Sequence, residues 1–312
     1  MPPASRVSGA SAGRRGPQRP TMAAMTQHSM TVGLLNPGEM GAAVGQCLTD
    51  GGHTVLWASD GRSEQTAERA KAAGLDDAST ARELAARASV ILSVCPPHAA
   101  LDVAWAVHGF TGVYVDANAV APGTARQVAE LIAAGGGRYV DGGIIGSPPV
   151  APRASRLYLS GGDEAAVQAV HDLFAGTALE PRIIAGPANA ASAVKMAYAA
   201  WTKGSSALLL AARALAEAEG VEDALVAEWA HSQPQLIGQI ERSARAAVTK
   251  GWRWVGEMEE IAQSMAGAGL PDGFHEAAAE IFRRSPRIPL TADAGTAAAA
   301  VLAALTGHAG TD

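Results

Sequence analysis

Between Thr31 and Thr49 the chain reads TVGLLNPGEMGAAVGQCLT, and no other stretch limits its possible folds as much. An apolar run, Thr31 to Leu35, gives way to a turn carrying Gly38 and Gly41 and then to an amphipathic period, so a strand, a tight turn and a helix are expected. Such a turn leaves backbone N–H groups and the positive end of a helix dipole aimed at one point, and a pyrophosphate suits that point. The spacing Asn36-Pro37-Gly38-Glu39-Met40-Gly41 follows GxGxxG with Asn in place of the first Gly. Asn tolerates a left-handed backbone better than most residues, so the turn can still close. A second strand expected from Gly52-His53 supplies the context that favours a dinucleotide site over a tight βα turn in an unrelated α/β domain. Asn36, Pro37, Gly38, Glu39 and Met40 are therefore expected to bind the cofactor.

The 312 residues leave room for two domains, and the formal net charge of -6 offers no electrostatic footprint for nucleic acid. Cys47 and Cys95 lie far apart without a CxxC or a His-rich set, so neither a disulfide framework nor a metal site is expected. A reducing, cytoplasmic setting fits this cysteine usage, and no run is long and apolar enough to suggest a membrane partner. Residues 1–30 hold Arg, Ser, Pro and Gly but no acidic residue. They are read as a disordered extension or an over-long start, with a transit peptide as the alternative that lacks an amphipathic period.

The second strand, His53 to Ala58, ends where this kind of domain meets the adenosine ribose. Ser59 stands at that tip, and Arg62 and Ser63 follow within reach of a 2′-phosphate, a pattern that leans to NADP with NAD still possible. Asp60 is the opposing feature, since a one-residue shift would make it the ribose acceptor. Helix and strand signals then alternate as a parallel sheet with crossover helices demands. Helices are expected at Ser63 to Ala73 and Thr80 to Ala88, and strands at Ser89 to Val94, Val113 to Ala117 and Tyr139 to Gly146. Leu157 to Ser160 and Arg182 to Ala185 are read as the last two strands, flanking a helix capped at Asp163. Cys95, Pro96, Pro97 and Asn118 fall at strand ends that would line the nicotinamide crevice, although the prolines can equally be strand terminators. From Pro187 the strand signals vanish and everything to about Leu305 reads as helix, so a boundary is expected near Gly186.

The first of these helices holds Lys195 among Ala, Val and Met. Burying an ammonium is unfavourable unless it is paired or its pKa falls. Ser192, Lys195, Tyr198 and Thr202 lie near one helical stripe, which makes them site candidates; a Lys snorkelling at a helix surface is the alternative.

Four motifs resemble those of the β-hydroxyacid dehydrogenases, the group that includes 3-hydroxyisobutyrate and 6-phosphogluconate dehydrogenases, over nearly all of Thr31 to Arg284. They are the fingerprint ending Gly38-Glu39-Met40-Gly41; Asp116-Ala117-Asn118 with Pro122; Asp141 to Gly146, similar to the DAPVSGG substrate loop; and Gly186 nine residues before Lys195, as in GxxGxGxxxKxxNN. Trp252 to Met258 and Gly269 to His275 resemble a domain often attached to phosphogluconate-dehydrogenase-like proteins. The resemblance implies that Lys195 is the general acid/base for hydride transfer between a nicotinamide and a small hydroxy acid or carbonyl compound. It also places Gly143, Ile144 and Gly146 at the substrate, with Thr202 further along the helix. Asn189 and Ala191 replace signature glycines, Tyr198-Ala199 stands where the family has Asn-Asn, and Ile145 occupies a Ser position, so a less polar pocket and a different substrate follow. Imine reductases share this fold and carry Asp or Tyr at the Lys position, which leaves imine chemistry with Tyr198 as proton donor as an alternative. A non-catalytic NADP-binding protein is the rival from another class. Trp252, Trp254 and His275 are read as core or interface.

The expected architecture is an α/β Rossmann-type N-terminal domain, residues 31–185, plus an all-α C-terminal domain, residues 186–305, joined by a long interdomain helix, with a tail at 306–312. Such a helical domain exposes apolar faces that a twofold partner would cover, so a homodimer is expected.

Overall fold

The computed structural model describes residues 29–150, 155–288 and 294–307. Most of the N-terminal extension expected over residues 1–30, and most of the tail expected over 306–312, lies outside the described residues.

Eight strands form one sheet: β1 (Thr31–Leu35), β2 (Thr54–Trp57), β3 (Asp76–Asp77), β4 (Val90–Ser93), β5 (Val113–Asp116), β6 (Arg138–Gly146), β7 (Ser155–Ser160) and β8 (Leu179–Ile183). Their order is β3-β2-β1-β4-β5-β6-β7-β8. The helices between them are α1 (Glu39–Asp50), α2 (Glu64–Ala72), α3 (Ala81–Arg87), α4 (Ala100–Trp105), α5 (Pro122–Ala134) and α6 (Glu164–Phe174). Strand residues alternate between two cores: Val90 and Leu92 enter the one that contains Val32 and Leu34, while Ile91 enters the one that contains Leu35 and Leu56. Burial on both faces explains why these strands read as unbroken apolar runs. The strand order reverses between β1 and β4, and in open α/β sheets a ligand binds in the crevice outside that switch point.

Two expectations are corrected at the far edge. β7 runs antiparallel to β6, with Gly143 opposite Tyr158, because the short connection from Gly146 to Ser155 has no room for a crossover helix. β8 begins at Leu179 rather than Arg182 and includes Pro181. The sequence reading started the strand after this proline, but an edge strand tolerates a residue without an N–H. α4 was not anticipated; it follows a short 3-10 turn, Pro97–Ala99, opened by Pro97.

The rest is helical: α7 (Ala190–Ala218), α8 (Glu222–Ser232), α9 (Gln235–Gly267), α10 (Gly273–Arg284) and α11 (Ala294–Thr306). Met196, Leu210, Val248, Met258, Ile261, Phe282 and Val301 form its core. α7 is 29 residues long, or about 44 Å at the α-helical rise, and it packs against both β6 and α9, tying the two halves together. One face of α7 has no cover in the monomer: Val194, Tyr198, Trp201, Leu208 and Leu215 are exposed, Trp201 by 76%. Among the described residues no helix is long and apolar enough to cross a membrane.

Candidate active site

The glycine turn fits a pyrophosphate. Asn36 adopts φ 67°, the left-handed conformation foreseen for it. Its carbonyl oxygen lies 2.5 Å from where a Cβ on Gly41 would stand, so only glycine allows α1 to approach the turn this closely. Gly38 is the N-cap of α1 and offers no side-chain cap, while a Cβ built on it would meet nothing within 4 Å. The N-terminus of α1 thus borders open space at Gly38, where a phosphate could approach the N–H groups of its first turn. The buried Oδ1 of Asn36 also lacks a partner.

At the tip of β2, Ser59 is half-buried, and its carbonyl accepts the Arg62 N–H at 3.0 Å, closing a turn. Arg62 and Asp60 are exposed beyond it. The Ser63 hydroxyl caps α2 by accepting the Thr66 N–H at 3.3 Å. Across the crevice Asn118 joins two strand ends: its Oδ1 accepts the Cys95 N–H at 2.6 Å and its Nδ2 donates to Ser93 Oγ at 3.0 Å. Burial pushes the Cys95 thiol up to about 12, which keeps it protonated and a poor nucleophile. Beneath it, burial raises the Asp116 carboxyl to about 7, although Oδ1 accepts the Asn118 N–H at 3.0 Å. Pro96 is exposed and Pro97 half-buried at the same rim.

The seam between β6 and α7 holds the proposed proton carrier. Asp141, next to Asp116 in register, accepts the Ser192 hydroxyl at 2.5 Å and the Ser192 N–H at 2.8 Å, pinning the first turn of α7 to the sheet. Ser160 Oγ donates to the same carboxylate at 3.2 Å and accepts the Ala191 N–H at 2.9 Å. Burial nonetheless moves Asp141 up to about 6. One turn along, the Lys195 ammonium donates to the Ile144 carbonyl at 2.8 Å. Lys195 is half-buried, and desolvation lowers its pKa to about 8, with Glu257 opposing and Lys203 assisting the drop. Gly143 sets the separation: a Cβ there would lie 2.7 Å from the Ala191 carbonyl and 3.1 Å from Lys195 Cβ. Ile144 turns its side chain into the sheet core and offers only its backbone, and Gly146 ends the strand at φ 129°.

The polar stripe read along α7 divides. Ser192 is wholly buried on Asp141, whereas Tyr198 is 49% exposed on the uncovered apolar face. Thr202 donates its hydroxyl to the Tyr198 carbonyl at 3.1 Å. Asn189, in a signature glycine position, donates from Nδ2 to the Pro122 carbonyl at 3.0 Å and fastens α7 to α5. Trp254 packs edge-on to Phe282, 5.0 Å between ring centroids, and His275 is buried beside Phe274. Trp252 remains 45% exposed between the guanidinium groups of Arg253 and Arg287.

Sequence reasoning missed the contribution of α9. Three of its charged residues, at i, i+4 and i+7, reach the N-terminal half or the Lys195 seam. Arg253 donates to Glu39 in the first turn of α1 at 2.8 Å. Glu257 pairs with Lys203, both largely buried, and it acts electrostatically on Lys195. Glu260 accepts the Ala121 N–H at 2.5 Å and the Thr124 hydroxyl at 2.9 Å, capping α5 from another helix. These pairings span 136 or more residues for Glu260 and 214 for Arg253, and no local motif announces them.

Residues 31–186 match the family described as the NAD binding domain of 6-phosphogluconate dehydrogenase, and residues 216–285 match a domain of unknown function, DUF1932. An uncharacterized 28.5 kDa protein of Methanothermus fervidus is 28% identical over 198 residues, 63% of this chain and 75% of its own. The 3-hydroxyisobutyrate dehydrogenase of Mycobacterium tuberculosis, 18% identical, superposes with a TM-score of 0.63 over 90% of this chain and 100% of its own. An imine reductase from a Pseudomonas species, 19% identical, does so with a TM-score of 0.51 over 90% of this chain and 100% of its own. Those two likenesses show the fold, with its parallel-dominated sheet and helical C-terminal half. Together with the glycine turn and the strand order, the match over residues 31–186 establishes that the chain belongs to the NAD-binding family of 6-phosphogluconate dehydrogenase type.

Proposed function

We propose that the protein is an NADP-preferring oxidoreductase in which Lys195 exchanges a proton with the oxygen of a small hydroxy-acid or carbonyl substrate. The observation that carries this reading is the Lys195 ammonium, desolvated at the seam between the two halves, held by the Ile144 carbonyl and lowered to about 8. A proton carrier is most effective when its pKa lies near working pH. The nicotinamide supplies or accepts hydride when bound; the protein's task is to hold the substrate oxygen by Lys195 and keep water from the reacting carbon. The turn from Asn36 to Met40 would hold the pyrophosphate, and Cys95, Pro96, Pro97 and Asn118 would line the crevice. Gly143, Ile144 and Gly146 on β6, with Thr202 on α7, would contact the substrate. NADPH oxidation against a panel of ketones, 2- and 3-oxo acids and imines, with the reverse reaction on hydroxy acids, tests the reading; absence of turnover with bound NADPH would leave a non-catalytic binder.

The NADP preference rests on Arg62, exposed beyond Ser59 at the ribose end of the crevice, with no acidic residue at the strand tip itself. Arg62→Ala is expected to weaken NADPH binding by about 1.5–3 kcal/mol, as for a charge-assisted hydrogen bond, and to leave NADH nearly unchanged. Calorimetric titration with both cofactors measures this. An equal loss for both would return the ribose role to Asp60.

The uncovered face of α7 supports a homodimer in which Trp201, Leu208 and Leu215 meet their twofold copies. Trp201→Glu would bury charge there and is expected to give a monomer in sedimentation; a stable monomer in the unaltered protein would remove the proposal.

A further inference from the structure

The contact between Arg253 and Glu39 is out of place for a purely structural ion pair. Glu39 lies in the first turn of α1, next to Gly38, above which there is open space. A carboxylate there suits the helix dipole but repels any phosphate that arrives. Arg253 holds it ionised at 2.8 Å, and Lys250 and Arg69 add weaker attraction, so their charges converge at this one turn. The pair is about half exposed on both sides, 48% for Arg253 and 55% for Glu39, so it contributes little in water and is easily exchanged. A guanidinium matches two phosphate oxygens through its planar fork, and such a dianionic partner outcompetes one carboxylate. The backbone of α9 is already fixed nearby, because Glu260 is locked onto the N-terminus of α5.

We propose that Arg253 is a cofactor-binding residue supplied by the helical half, which leaves Glu39 and grips the pyrophosphate of the dinucleotide held at the glycine turn. Glu39 holds the guanidinium at the first turn of α1. With a dinucleotide bound, the same side chain would turn from Glu39 to the phosphates. This deepens the proposed function and rests on it, since it presupposes that the turn binds a dinucleotide. Arg253 reaches the part that NADPH and NADH share, whereas Arg62 faces the part in which they differ.

Titrations of NADPH and NADH into the full chain test it. Arg253→Met is expected to weaken both cofactors by the same factor, roughly 10- to 100-fold, the range for a lost charge-assisted hydrogen bond. Arg253→Lys, which keeps the charge but not the fork, is expected to fall between Arg253→Met and the unaltered protein, and it serves as the probe if Arg253→Met does not fold. Glu39→Gln should bind at least as tightly as the unaltered protein, and adding Arg253→Met to it should still weaken binding several-fold. Unchanged affinity in Arg253→Met overturns the proposal. A double variant as tight as Glu39→Gln does so too, because Arg253 would then only neutralise Glu39. Loss for NADPH alone would move Arg253 to the 2′-phosphate and likewise overturn it. Failure of the unaltered protein to bind either dinucleotide would instead remove the function on which the proposal rests.

Discussion

Replacing Lys195 by Met should cut turnover roughly 10²–10⁴-fold while leaving the fold and the affinity for NADPH intact. Methionine keeps the length and apolar character of the stem, so the packing against Gly143 survives and only the proton carrier and its bond to the Ile144 carbonyl are lost. In the unaltered protein carbonyl reduction needs the ammonium, so its rate should fall as pH rises through about 8, and alcohol oxidation should rise over the same range. Both limbs should disappear in Lys195→Met. Steady-state rates between pH 6 and 10, with NADPH binding measured alongside, decide this. A pH-dependent rate that survives in Lys195→Met but is lost in Tyr198→Phe would assign the proton to Tyr198 and favour imine chemistry.

A second large effect is expected from Asp141→Ala. The carboxylate accepts two bonds from Ser192 and one from Ser160 in a site without solvent, and its removal strands the Ser192 N–H at the start of α7. Leaving buried donors unsatisfied should lower stability by on the order of 2–4 kcal/mol. Lys195 sits less than one turn further along, so turnover should fall more than NADPH affinity. The pH dependence has a definite sign. Asp141 is raised to about 6 in the folded chain, so its contribution to stability is complete below the usual carboxylate pKa of 3.8 and declines as pH climbs through about 6. The gap between the unaltered protein and Asp141→Ala should therefore be wider at pH 5 than at pH 8. Denaturant unfolding at the two pH values measures it; a gap that widens with pH would mean that the three donors outweigh burial.

What was legible in the sequence follows from the range of the interactions concerned. The βα entry could be read because its turn is local: Asn36, Gly38 and Gly41 each meet a backbone demand set within a few residues. Lys195 stood out because a charge among Ala, Val and Met is a local anomaly with few physical resolutions. β8 was displaced by three residues because Pro181 reads as a strand breaker unless the edge position is known. The even stripe of Ser192, Lys195, Tyr198 and Thr202 was misleading for another reason. Helical periodicity gives the angle of a side chain about its own axis, but not which neighbour covers that angle, and Asp141, the seam and open solvent cover different parts of it. The resemblance over Trp252 to Met258 gives Arg253 and Glu257 no role, and Glu260 reads as part of a solvated helix face.

The cross-helix cap that Glu260 places on α5 has a consequence for how the chain acquires its chemistry. An isolated N-terminal half would leave Thr124 and the Ala121 N–H without their carboxylate. It would keep the glycine turn but lack both Lys195 and the guanidinium over α1. An isolated helical half would bring the Glu260 carboxylate into water and leave Lys195 without the Ile144 carbonyl. Under the proposed function, competence would be a property of docking rather than of either half, because one helix, α9, carries the cap, the partner of Lys203 and the guanidinium.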